Sequence, residues 1–197
     1  MESNLEKDFF ELVVKAISEE ESILNELFEK NSNEYQKFLP CGVSCLFETG
    51  YVYIIFKKLL DEKFPLLVSW EHKYTNSNKR ADMVLLNSSN QDDINSFIEF
   101  KKWKFDDGHE IDNDIGKLEQ EKRKIDKYIV AIECNYFDKN YDELINKNAE
   151  FLEKKGLKII DKKYIKTMFY NYKDKTNELV PLNIYFCNLE KKDEKGQ

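Results

Sequence analysis

The sequence is poor in the residues that interrupt or staple a chain. Its 197 residues hold 6 glycines and 3 prolines, too few for a long flexible linker. It carries no glycine-rich phosphate loop, no internal repeat and no serine-based triad. No apolar run approaches the length of a membrane span, and the N-terminus lacks the basic-then-apolar pattern of a secretory signal. A soluble, cytoplasmic protein is expected. The four cysteines, Cys41, Cys45, Cys134 and Cys187, are scattered, and the only histidines are His72 and His109. A structural zinc site draws on two close ligand pairs, whereas Cys41 and Cys45 form one wide pair. Reduced, mostly buried thiols are expected instead.

What is present suits a packed α/β globule. The hydrophobic share of 41% and aromatic share of 14% are enough to build one core without staples, so residues 1–197 read as a single domain. The net charge of −7 argues at first against a nucleic-acid partner. Its distribution weakens that objection, because residues 1–30 hold nine acids against three lysines and so carry nearly all of it. Lys79, Arg80, Lys101, Lys102, Lys104 and Lys117 form a basic neighbourhood farther along.

Leu5, Phe9, Leu12, Val13, Ala16 and Ile17, continued by Ile23, Leu24, Leu27 and Phe28, predict an amphipathic helix over residues 4–30. Its acidic face reads as solvated; an oligomer contact, for example a homodimer, is the other reading. Residues 31–40 read as a break, and 1–40 as an N-terminal extension. A second helix is expected over about 44–63, with Leu46, Phe47, Val52, Ile55, Leu59 and Leu60 as its stripe and Glu48 near its start. Strands follow over 66–74, 80–87 and 95–104. After a polar loop at 106–110, a helix is expected over about 112–124, with Ile111, Ile115, Leu118 and Ile125 on one face and Lys117, Gln120, Glu121 and Lys124 on another. The apolar run at 128–134 suits a central buried strand. A helix over 142–155 ends at Gly156, a short strand covers 157–160, and strands at 168–172 and 182–187 flank a turn. Residues 190–197 are a charged tail.

Within this frame two strand segments stand out. In a strand, residues two apart share a face, so Glu99 and Lys101 project together while Ile98 and Phe100 enter the core. If the 80–87 strand pairs with it, Asp82 joins them. Two carboxylates and an ammonium at a sheet rim can hold a divalent metal and polarise a phosphate. Other acid-x-Lys triplets occur, such as Glu71-His72-Lys73 and Glu153-Lys154-Lys155, but only Glu99-Phe100-Lys101 sits in an apolar strand with a strand-borne Asp before it.

This constellation resembles the PD-(D/E)XK nuclease superfamily over roughly residues 43–135, with Ala81 in place of the proline. The resemblance implies a restriction endonuclease-like core (α-β-β-β-α-β, a central mixed sheet flanked by helices), extended here by the acidic N-terminal helix and a C-terminal strand pair. It implies a Mg²⁺-dependent deoxyribonuclease, with Mn²⁺ able to substitute, of restriction, repair or phage-defence type. Asp82, Glu99 and the backbone carbonyl of Phe100 would ligate the metal, with Glu48 as a further ligand. Lys101 would orient the attacking water and offset charge on the phosphate. DNA is the expected partner in preference to RNA. Lys79, Arg80, Lys102, Lys104, Lys117 and Gln120 are candidates for contacting it. The competing reading is a non-catalytic module on the same fold that binds nucleic acid or protein, for instance an immunity-type protein.

Overall fold

The computed structural model describes residues 1–35, 42–75, 77–103, 108–134, 141–171 and 176–190. Its elements run α1 (Ser3–Tyr35), a 3-10 turn (Val43–Cys45), α2 (Glu48–Asp61), β1 (Leu67–Lys73), β2 (Arg80–Leu86), β3 (Ile94–Trp103), α3 (Gly108–Gln120), β4 (Asp126–Cys134), α4 (Tyr141–Lys154), β5 (Leu157–Asn171) and β6 (Thr176–Leu189). The strands form one mixed sheet in the order β1-β2-β3-β4-β6-β5. Only the β3–β4 pair is parallel, and α3 makes the crossover between them.

Period-2 alternation divides the buried residues between two faces of this sheet. Met83, Leu85, Ile98, Phe100, Tyr128, Val130, Ile184 and Phe186 pack with α1 and α2. Val84, Phe97, Trp103, Ile129, Ala131 and Tyr185 pack with α3 and α4. Strand β4 is buried along most of its length, as expected of a strand covered on both faces. None of the described helices is long and apolar enough to cross a membrane.

Three sequence expectations are corrected. Helix α1 continues through residues 31–35, because a growing helix meets no glycine or proline there to stop it; 36–41 lie outside the described residues. Helix α3 begins at Gly108 and ends at Gln120, about four residues ahead of expectation at each end. Its end follows from Glu121, whose carboxylate accepts hydrogen bonds from the backbone N–H of Thr75 at 3.0 Å and of Arg123 at 3.0 Å. Glu121 and Lys124 therefore do not extend the helical face, and Glu110 is helical rather than in a loop. Finally, the two short strands expected at 157–160 and 168–172 are one 15-residue strand, paired with a 14-residue β6. The stretch between them, Asp161 to Lys166, lies on an edge strand, where Lys163, Tyr164 and Lys166 are exposed while Ile165 packs against the core.

The face of α1 read as solvated contains a buried acid. Glu21 accepts hydrogen bonds from Val43 N at 2.8 Å, Thr167 Oγ1 at 2.7 Å and Met168 N at 2.9 Å. It thereby ties α1 to the 3-10 turn and to β5. The fit is close. Gly42 has φ +77°, and a Cβ placed there would lie 2.5 Å from a Glu21 oxygen, so glycine is required on both counts. From this anchored turn the chain enters α2 at Glu48.

Candidate active site

The site arises where β3 outruns β2. The β2–β3 ladder extends from Leu86↔Ile94 to Met83↔Ile98, whereas β3 stays paired with β4 as far as Trp103↔Glu133. The edge of β3 facing β2 therefore offers backbone groups beyond Ile98, and two carboxylates take them. Asp82 Oδ2 accepts from Phe100 N at 2.8 Å, and Glu48 Oε2 accepts from Lys102 N at 3.1 Å. In a strand the N–H and C=O of one residue point the same way, so the Phe100 carbonyl opens on the same notch. Across β2 the β1 ladder is irregular beside Asp82. Trp70 pairs with Met83 and His72 with Ala81, and the intervening Glu71 has φ +53°, a left-handed conformation unusual for a residue with a side chain.

On the α3 side of β3, Glu99 is fully buried. Its Oε1 accepts a 2.5 Å hydrogen bond from the Tyr74 hydroxyl, and its Oε2 lies 3.4 Å from Lys117 Nζ. Lys101 Nζ stands 3.2 Å from Glu48 Oε2, 3.5 Å from Glu110 Oε2 and 3.8 Å from Asp114 Oδ2. Lys117 Nζ donates to Asp114 Oδ1 at 2.6 Å. The notch thus gathers the carboxylates of Asp82, Glu99, Glu48, Asp114 and Glu110 around two ammonium groups.

Acids that outnumber cations in a poorly hydrated place hold their protons harder. Burial, then the neighbouring Asp82 carboxylate, pushes Glu99 up to about 8. Burial raises Asp82, offset in part by the Phe100 N–H. Burial also raises Glu48, against the opposing pull of Lys101. The lysines respond in kind. Burial alone would lower both, but Glu48 and Asp114 raise Lys101, while Asp114 and Glu99 raise Lys117. Of these two acids beside Lys117, Asp114 is the closer at 2.6 Å, and Glu99 stands at 3.4 Å.

Asp82, Glu99, Lys101, Glu48 and Lys117 therefore meet in one place. The other basic candidates do not. Lys102 turns to the opposite face, where its ammonium donates to the carbonyls of Ser44 at 2.7 Å and Leu46 at 2.8 Å. It braces the turn that carries Glu48, so its ammonium is engaged away from the notch. Arg80 pairs with Glu71 at 3.2 Å on the exposed edge. Lys79 and Gln120 are exposed, the latter at the end of α3. Lys104, the acids Asp106 and Asp107, and Cys41 lie outside the described residues. Cys134 and Cys187 are buried and Cys45 is exposed, and none of the three is in a disulfide.

Three site residues escaped the sequence reading. Tyr74 lies just past β1 and gives no sign of its partner. Glu110 was placed in a loop. Asp114, buried with its Oδ2 accepting no hydrogen bond, sits three residues before Lys117, a helical spacing that could have exposed it.

Among the described residues, no three His, Cys, Asp or Glu side chains form a ready metal cluster. Magnesium does not require one. It binds through one or two carboxylates, retains waters and takes further oxygens from a phosphate substrate. The hard oxygens of Asp82 and Glu99, with the Phe100 carbonyl beside them, fit that demand. No protein-family model, curated protein or solved structure matches this chain.

Proposed function

We propose that this protein is a metal-dependent nuclease of PD-(D/E)XK type with a restriction endonuclease-like core, hydrolysing phosphodiester bonds of DNA in preference to RNA. One observation carries the reading. Asp82, Glu99, Lys101 and Glu48, drawn from two strands and a helix, converge where β3 extends beyond β2. The element order leading to the site, helix, three antiparallel strands, helix and parallel strand, supports it.

Asp82, Glu99 and the Phe100 carbonyl would hold Mg²⁺ or Mn²⁺, with Glu48 as a direct or water-mediated ligand. Bound there, the ion supplies Lewis acidity to the scissile phosphate and to the attacking water. Lys101 orients that water and offsets the charge that develops on the phosphate oxygens. Glu48, Glu110 and Asp114 hold the Lys101 ammonium in place and charged. Tyr74 fixes the rotamer of Glu99 through its hydroxyl. The expected product carries a 5′-phosphate.

The alternative, a non-catalytic binding module, draws on the same ion pairs, since Lys101 and Lys117 already neutralise part of the acid charge without a metal. Circular and linear, single- and double-stranded DNA incubated with and without Mg²⁺ or Mn²⁺ separates the two. Cleavage that needs the ion and disappears in Asp82→Asn supports the nuclease. A wild-type protein that neither cleaves any of these substrates nor gains thermal stability from either ion refutes it.

A further inference from the structure

We propose that Lys117 is a built-in counter-cation for Glu99, and that Asp114 is the seat to which its ammonium withdraws when a divalent cation enters the notch. This rests on the metal-dependent reading above and adds a device that controls entry to the same site.

The Glu99 carboxylate has no exposure to water, and a charge there needs a proton or a cation beside it. What stands against its Oε2 is the Lys117 ammonium at 3.4 Å. That ammonium is already shared, and unequally, because Asp114 Oδ1 lies closer, at 2.6 Å. A divalent ion bound by Asp82 and Glu99 would repel a positive charge at such a distance. The ammonium then needs another acceptor, and Asp114 provides one. Only 3% of Asp114 is exposed, and its second oxygen accepts no hydrogen bond; the Lys101 ammonium, 3.8 Å away, is an ion-pair neighbour beyond hydrogen-bond reach. A buried carboxylate oxygen without a hydrogen bond is costly, so it has capacity for a donor. A Lys117 that leaves Glu99 can engage both Asp114 oxygens.

The path is short. Lys117 and Asp114 are three residues apart on α3, so they stay neighbours whatever the helix does. The change requires a side-chain rotation and no backbone movement. The Lys117 side chain is 28% exposed, which leaves it room to turn. Lys101 is placed for a different task, with Glu48 as its nearest acceptor at 3.2 Å. The two lysines divide the work: Lys101 faces the reacting phosphate, and Lys117 holds the place of the ion.

The test is calorimetric titration of the full chain with Mn²⁺ alone and with Mg²⁺ alone, without nucleic acid. Lys117→Met, with Lys117→Gln as a second version, removes the competitor and should tighten binding by about tenfold, a factor typical of a coupled pair of sites. Asp114→Asn removes the seat, leaves the ammonium on Glu99 and should weaken binding by about the same factor. The double variant decides between roles. If Asp114 acts only through Lys117, then Lys117→Met with Asp114→Asn should bind as tightly as Lys117→Met alone. A double variant as weak as Asp114→Asn would overturn the seat and make Asp114 a direct ligand. Unchanged affinity in both Lys117 variants would overturn the counter-cation while leaving the metal site intact. Absence of binding in wild type and Lys117 variants alike would remove the metal reading itself, and this inference with it.

Discussion

Replacing Glu99 by glutamine should stabilise the protein, and by an amount that depends on pH. Glu99 titrates near 8 in the folded chain, against an ordinary 4.5 for a glutamate in the unfolded one. A carboxyl with a raised folded-state pKa favours the fold fully below its unfolded value. That contribution drains away as pH climbs to the folded value, because the unfolded chain releases the proton first. Between about pH 4.5 and 8 wild type should therefore lose stability from this group. The span corresponds to about 5 kcal/mol at 1.36 kcal/mol per pH unit, as an upper bound. The realised gain in Glu99→Gln is smaller, because the variant gives up the Lys117 pair, while its amide oxygen retains the Tyr74 hydrogen bond. A difference of about 2–3 kcal/mol at pH 9, vanishing near pH 4.5, is the expected result. In a chain of this size that is roughly 4–12 °C in melting temperature. Urea unfolding of both proteins at pH 4.5, 6, 7.5 and 9 with chelator present measures it. A variant less stable than wild type at pH 9, or a difference that does not change with pH, would refute the reasoning.

Neighbouring lysines should fail in different ways. Lys101→Ala should lower single-turnover cleavage by roughly two or more orders of magnitude, as for the loss of a transition-state donor. Lys102→Ala should instead cost about 1–3 kcal/mol in urea unfolding, because the carbonyls of Ser44 and Leu46 lose a charged donor. Equal rate losses in the two would mean that the lysines form only a generic basic patch. Glu21→Ala should cost about 3 kcal/mol or more, since it strips the partners from Val43 N–H, Met168 N–H and the Thr167 hydroxyl. An unfolding midpoint within error of wild type would show that these groups find other partners.

Much of the strand architecture could be read from periodicity. Alternating apolar residues in β2 and β3 place Met83, Leu85, Ile98 and Phe100 on one face, and that fixes Glu99 and Lys101 on the other. The same rule separates Lys101 from Lys102. The burial of Glu21 was not legible, because an acid in a run of five consecutive charged or polar residues, Ser18 to Ser22, looks like any solvated helix position. Its burial depends on Val43, Thr167 and Met168, which are distant in sequence. Strand β5 was broken in two for a related reason. Its Asp161-Lys162-Lys163 segment has the composition of a turn, and only pairing with Phe186, Tyr185 and Ile184 makes it a strand.

The charge balance of the site was hidden by a displacement of one helical turn. With α3 started at 112, Glu110 belonged to a loop and Asp114 to the first turn, where an acid needs no explanation beyond the helix dipole. With α3 started at Gly108, Glu110, Asp114 and Lys117 fall at i, i+4 and i+7 and form one line along the helix. That line runs beside the stripe of Ile111, Ile115 and Leu118 that seats α3 on the sheet. Charged residues bordering a buried stripe lie at the margin of the packed face, close enough to the sheet for Asp114 and Glu110 to reach Lys101 and for Lys117 to reach Glu99. The strands therefore bring Asp82, Glu99 and Lys101 together, and α3 adds Glu110, Asp114 and Lys117 to their charge balance. A charge balance depends on partners within a few ångströms, so this addition belongs to the packing of α3 against β3 and is absent from either segment alone.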